Sequence, residues 1–177
     1  MLIPNESPPR IDWFEPLVRQ SEAAAYKLAM MLTRNPGLAE EIVQEAFVRA
    51  WVAQRTPQTY DEFRPWLYRI IVNLIHDHHR REAIERRYVA EPAVADPVSQ
   101  SERRLDISAV SEAMNRLSQR EREVVYLRFF ENASHRQVAR MVGMNEVGVR
   151  VLLHRALKRI RQAIEATPDM GLHTKAV

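Results

Sequence analysis

The sequence predicts an all-α protein made of two small helical domains joined by a flexible linker, the second of them a helix-turn-helix, and three observations predict it. Apolar residues recur at steps of three and four along most of the chain, the mark of helices with one buried stripe. Only four glycines occur, and no Val/Ile/Thr-rich run alternates apolar and polar residues between turn signals as a strand would. The helical pattern lapses for one long stretch, where Glu91-Pro92, Asp96-Pro97 and Ser99 to Ser101 replace it. Domains are therefore expected at 10–82 and 108–166, with a linker at 83–107 and a tail at 167–177.

In the first domain an Ala-rich segment at 21–32, with Leu28, Met31 and Leu32, reads as a helix, and Asn35-Pro36-Gly37 ends it with turn chemistry. A second helix starts near Leu38 and runs to about Ala53, placing Leu38, Ile42, Ala46 and Ala50 on one stripe, reinforced by Val43, Phe47 and Trp51. Its opposite face carries Glu41, Gln44, Glu45 and Arg49. After a polar loop containing Thr56, Pro57 and Thr59, Pro65 suits the first turn of a third helix, where its missing N–H costs nothing. Leu67, Ile70, Ile71, Leu74 and Ile75 supply its buried stripe.

The second domain opens near Ser108. Ser118-Gln-Arg-Glu121 ahead of Val124, Val125 and Leu127 is a capping-box pattern, in which each side chain satisfies a free backbone donor. Ser134 caps a short helix over 135–142, Gly143 supplies a tight turn, and Asn145 caps a last helix running to about Ile164.

Bulk properties narrow the function classes. A hydrophobic content of 46% supports real cores, and the absence of cysteine rules out disulfides and thiolate metal sites. The N-terminus lacks the order of a signal peptide and no apolar run is long enough to span a bilayer, so a cytoplasmic protein without membrane insertion is expected. The net charge of +3 is small, so its distribution matters more than its sum.

That distribution singles out the last helix. Val149, Leu152 or Leu153, Ala156, Ile160 and Ile164 form its core stripe, Arg150, His154, Lys158 and Arg161 recur on another face, and Arg155 and Arg159 add a flanking row. No carboxylate lies between Glu146 and Glu165. Concentrated positive charge on a helix that follows a capped helix and a glycine turn points to duplex phosphates and the major groove, rather than to a merely solvated face. Gly148, in the first turn, either lets the backbone approach a phosphate or is simply tolerated there.

On the third helix Arg69, Asn73, Asp77 and Arg80 or Arg81 fall on one exposed face, with Trp66, Tyr68 and Tyr60 at or near its start. Aromatics beside cations can hold unstacked bases, although Trp66 also suits a core. His76, Asp77, His78 and His79 could suggest a metal, but no second ligand cluster accompanies them. No metal, cofactor or catalytic residue is expected.

Taken together, these segments resemble the extracytoplasmic-function (ECF, group IV) sigma factors of the main bacterial sigma family. Residues 41–51 resemble the family's polymerase-docking helix, and 63–73 its promoter-melting, minus-ten-reading helix. Residues 117–125, 137–143 and 149–156 resemble its minus-35 domain in order and spacing. The resemblance implies that core RNA polymerase, promoter DNA (duplex and melted) and an anti-sigma factor are the partners. It implies that Glu41, Gln44, Glu45 and Arg49 dock on the polymerase clamp helices, and that Tyr60, Trp66, Arg69 and Asn73, with the loop at 54–61, meet the minus-ten strand. Arg80 and Arg81 would hold phosphates, and Arg150, Val151, His154, Arg155 and Lys158 would face the minus-35 groove.

This sequence departs from the family pattern at Val147-Gly148 and Val151-Leu152, where apolar contacts to thymine methyls or reading of groove shape would partly replace hydrogen bonds, and at Pro57 in the specificity loop. Three rival readings are a response-regulator or quorum-sensing type of regulator, a sigma mimic that captures a regulator without binding promoters, and a metal enzyme built on His76. Residues 1–105 show no strand-helix alternation for a receiver domain, which disfavours the first.

Overall fold

The computed structural model describes residues 10–53, 55–88 and 113–165, and every regular element in them is helical. The expected linker from residue 89 onward, the expected opening of the second domain near Ser108 and the tail from residue 167 lie outside the described residues.

Helix α1 spans Arg10–Thr33, beginning well before the Ala-rich segment that marked it in the sequence. Phe14 and Leu17 explain the extension, because both are buried with Ala25, Leu28, Ala29 and Leu32. Asn35 then caps α2, Pro36–Val52: its side chain accepts from the Leu38 amide at 3.2 Å, and Pro36 occupies the first turn. The buried residues of α2 are Ala39, Ile42, Val43, Ala46 and Ala50, small enough to let α1 and α3 pack close on either side. Thr56 ties the following loop back by donating to the Ala50 carbonyl at 2.8 Å.

Helix α3 runs Tyr60–Tyr88. Its start corrects the expectation that Pro65 sits in the first turn: the helix begins five residues earlier, with Asp61 and Glu62 in the acidic first turn that the helix dipole favours. Pro65 lies inside and forgoes one backbone hydrogen bond, while Phe63 and Leu67, both fully buried, hold the segment helical. The helix also continues six residues beyond 82, with Glu82 facing His78 and His79.

In the C-terminal domain α4 spans Gln119–Val125 and opens on a complete capping box between Ser118 and Glu121. A π-helical turn, Tyr126–Phe130, continues it. Helix α5, His135–Val142, opens on a second capping box, Ser134 with Gln137, and ends at Gly143 in the left-handed region at φ 69°. Helix α6, Glu146–Glu165, starts where Asn145 accepts from the Gly148 amide at 2.7 Å. Each cap contributes about 1 kcal/mol.

The two helical domains are not separate bodies. Helix α3 packs along α5, α1 touches α4, and the buried apolar residues from Phe14 to Ala156 form one continuous cluster.

Candidate functional site

Helix α6 is seated by Val149, Leu153, Ala156 and Ala163, with Leu152 and Ile160 half-buried against the core. That leaves Arg150, Val151, His154, Arg155 and Lys158 exposed together, so all five expected groove-facing residues reach solvent on the second helix of a capped helix-turn-helix. Their electrostatics differ. Arg150 lies 3.6 Å from Glu146, whereas Arg155 has no ion-pair partner among the described residues. The flanking row expected of Arg155 and Arg159 is split, because Arg159 donates at 2.7 Å to the carboxylate of Glu121, itself only 3% exposed. Arg159 therefore anchors α6 to the start of α4.

The departure from the family pattern at Val151-Leu152 also separates into two parts. Leu152 belongs partly to the core, while Val147 and Val151 stay exposed as apolar contacts beside the cations. Gly148 has a local reason that sequence did not reveal: a Cβ there would come within 3.0 Å of Met144 Cε and 3.1 Å of Asn145 Oδ1, the capping oxygen.

A second exposed face belongs to α2. Glu41, Gln44, Glu45 and Arg49 all face solvent, with Arg49 paired to Glu45 at 2.8 Å and Gln44 donating to Glu40 at 3.3 Å. They border an open cleft of about 420 Å³ between α2 and α3, floored by Ile42 and Leu74 and flanked by Arg81. Charged rims around a small apolar floor suit a reversible protein contact, in which charge sets orientation.

Along α3, Arg69 and Asn73 are exposed on one strip. Arg80 extends it and pairs with Asp77 at 3.0 Å; Arg81 turns toward the cleft and donates to the Asp77 carbonyl at 3.4 Å. Trp66 and Tyr60 are half-buried and pack on the core, with the Trp66 ring 5.9 Å from that of Phe63. Each keeps part of its surface in solvent. Tyr68 does not: it is 1% exposed, and its hydroxyl donates to Glu131 at 3.0 Å while accepting from Arg64 at 3.2 Å. Tyr68 leaves the set of aromatics available for stacking, because i+4 spacing from Arg64 turns it to the C-terminal domain.

His76 also points away from solvent. Its Nε2 lies 2.6 Å from Glu123 Oε1, and Glu123 is fully buried. His78 and His79 both face Glu82, and the described residues contain no group of three or more His, Asp or Glu placed to hold a metal. The partner of His76, which the sequence did not reveal, is a carboxylate 47 residues away in the other domain. Arg64, Glu123 and Glu131 gave no sequence signal, because nothing in helical spacing reveals a contact between domains.

No described helix is long and apolar enough to cross a membrane. Residues 17–84 match the Sigma-70 region 2 family and residues 107–160 match Sigma-70, region 4. The chain is 34% identical over 148 residues to a probable RNA polymerase sigma factor, RfaY, of Xanthomonas campestris, covering 77% of this chain but 36% of that protein. It is 29% identical over 160 residues to the ECF RNA polymerase sigma factor SigL of Mycobacterium tuberculosis, covering 84% of this chain and 87% of the relative. Among solved structures, the sigma factor RpoE of Bartonella quintana, crystallised with the anti-sigma factor NepR, matches with a TM-score of 0.69 and 24% identity, over 89% of this chain and 99% of that one. Regions 2 and 4 thus fall on the two helical domains, and the chain belongs to the sigma-70 family, in its ECF group.

Proposed function

We propose that this chain directs core RNA polymerase to promoters, with α2 docking on the polymerase, α3 engaging the melted minus-ten strand and α6 the minus-35 duplex. The observation that carries the reading is the separation of faces. Glu41, Gln44, Glu45 and Arg49 form a polar surface on α2, while Arg150, His154, Arg155 and Lys158 form a basic surface on a capped recognition helix. Phosphate neutralisation by the second surface supplies affinity through counterion release. Val147 and Val151 are suited to thymine methyls, which are among the marks that distinguish bases in the major groove.

The work asks for no covalent chemistry from the chain and takes place where polymerase and chromosome meet, in the cytoplasm. An anti-sigma factor is the third partner in this reading, supported by the likeness to RpoE, which was solved with one.

The test separates the faces. Glu45→Arg should weaken core polymerase binding by about tenfold or more, a loss on the order of 1.4 kcal/mol, and leave the isolated duplex contact alone. Arg155→Ala should spare polymerase binding, weaken promoter binding, and lower the salt slope of that binding by about one unit. Equal loss of polymerase binding in both variants would contradict the assignment of faces.

A further inference from the structure

Helix α6 lacks the side chains that most often tell one base from another by hydrogen bonding. Between residues 147 and 161 its polar side chains are arginines, Lys158 and His154, with no Asn, Gln, Ser or Thr. Asn145, just ahead of the helix, is held as its cap, accepting from the Gly148 amide at 2.7 Å. The bidentate amide contact that marks adenine is therefore not on offer from this helix. What stands in the middle of its exposed face is apolar. Val149, Leu153 and Ala156 seat the helix, and at about 100° per residue the opposite direction is held by Val147, Val151, His154 and Lys158. Val147 is 66% exposed and Val151 44%.

The cations flank this line. Arg150 lies about 80° to one side of the valine pair and Arg155 about 60° to the other, so with the valines facing the floor of a groove the arginines face its two walls of phosphate. Recognition helices meet base edges with their N-terminal residues, and both valines fall in the first two turns of α6, ahead of His154 and Lys158. Side chains four residues apart on a helix stand about 6 Å from one another. A rise of about 3.4 Å and a turn of about 36° per base pair put major-groove methyls on adjacent pairs near that separation, and methyls two pairs apart well beyond it.

We infer that Val147 and Val151 read the C5 methyls of thymines on two adjacent base pairs while Arg150 and Arg155 neutralise the phosphates to either side. The duplex site is then chosen by methyl contact rather than by amide or hydroxyl hydrogen bonds to bases. This deepens the promoter-directing reading above and rests on it.

Deoxyuridine pairs as thymidine does and lacks only the C5 methyl, so it isolates the contact. Duplexes selected from a random pool by the full chain bound to core polymerase supply the sites, and each thymine of the upstream element is then replaced by deoxyuridine. If the chain enriches no sequence beyond what core polymerase alone retains, the promoter-directing reading fails and this inference with it. Given enriched sites, loss of one methyl should weaken binding about fourfold at each of two adjacent base pairs, and loss of both about tenfold or more. Val151→Ala should show no further loss when its own thymine becomes uracil, and Val147→Ala should behave likewise at the neighbouring pair. Arg150→Ala and Arg155→Ala should keep both thymine-to-uracil differences while lowering the salt slope by about one unit each. Each comparison is a ratio within one variant, so a general loss of stability does not imitate it. Enriched sites without two adjacent thymine-bearing pairs, affinity indifferent to uracil, or valine variants that keep the full thymine-to-uracil difference would each overturn the inference while leaving the promoter-directing reading in place.

Discussion

Helices α3 and α6 both expose basic residues, but they are held in different ways. Helix α3 is gripped on two sides. Phe63, Leu67 and Leu74 share one stripe, with the Phe63 ring meeting Phe14 of α1 at 5.9 Å, while Tyr68 and His76 turn toward the C-terminal domain. Its exposed strip of Arg69 and Asn73 is what two packed faces leave over. Helix α6 buries a single stripe of mostly small residues, Val149, Leu153, Ala156 and Ala163. Its position depends on local devices: the Ser134 box and Gly143 before it, the Asn145 cap, and Arg159 on Glu121. Helix α3 is thus placed by packing and helix α6 by caps, so they should fail under different substitutions.

The largest effect is expected from Phe63→Ala. The side chain is fully buried among Phe14 and Trp66, and truncation there should cost about 3–5 kcal/mol in urea unfolding. Because the two domains share one core, near-UV and far-UV signals should be lost together. A cost below about 1 kcal/mol would mean that α3 is not held by its first face.

The second face of α3 gives the next largest effect, which depends on pH. Burial pushes the Tyr126 phenol up to about 12 from its ordinary 10, with the neighbouring Tyr68 adding to the shift and Arg64 opposing it. Burial also raises Tyr68, against the pull of Arg64. A phenol with a raised folded-state pKa favours the fold fully below the unfolded value and loses that contribution as pH climbs through the folded one. Stability should therefore decline between about pH 10 and 12, and Tyr126→Phe should flatten that decline in thermal melts. The core stripe of α6 contains no phenol, so the effect tests the domain contact alone; an identical decline in the variant would remove Tyr126 from it.

Ser134→Ala should act only on the recognition side. It removes one half of the α5 capping box and should cost about 1 kcal/mol of stability. Promoter affinity should fall while core polymerase binding holds, since the α2 face lies in the other domain. Loss of polymerase binding in this variant would show that the two faces are not independent.

This contrast also explains what sequence could convey. The capping boxes at Ser118 and Ser134, the Gly143 turn and the Asn145 cap are written in neighbouring residues, and the recognition helix was legible almost to its ends. The start of α3 was not, because Pro65 resembles a first-turn residue unless the burial of Phe63 is known. Nor could spacing reveal that His76 and Tyr68 face Glu123 and Glu131: those carboxylates lie 47 and 63 residues away, and helical periodicity carries no information about which helix another will meet. The exposure of Arg150, Val151, His154, Arg155 and Lys158 was readable for a complementary reason, since an exposed face needs no partner within the chain to define it.

The smallest effect should come from Gly148→Ala, and it probes the cap-dependence of α6 most finely. Alanine in a helix is favoured over glycine by about 1 kcal/mol. Against this, the new Cβ would press on Met144 Cε at 3.0 Å and on the capping Asn145 Oδ1 at 3.1 Å. The methionine end can swing away, since its thioether chain is flexible. The asparagine oxygen cannot shift freely without lengthening its 2.7 Å bond from the residue 148 amide, and losing that cap costs about as much as alanine gains. Net stability should therefore stay within about 0.5 kcal/mol of the parent, while the first turn of α6, which carries Arg150 and Val151 just behind it, is displaced by a few tenths of an ångström. Weaker promoter binding at unchanged stability is the expected signature. Unchanged promoter binding would show that the cap does not set the reading position of α6, and would leave the Arg159–Glu121 contact as its main anchor.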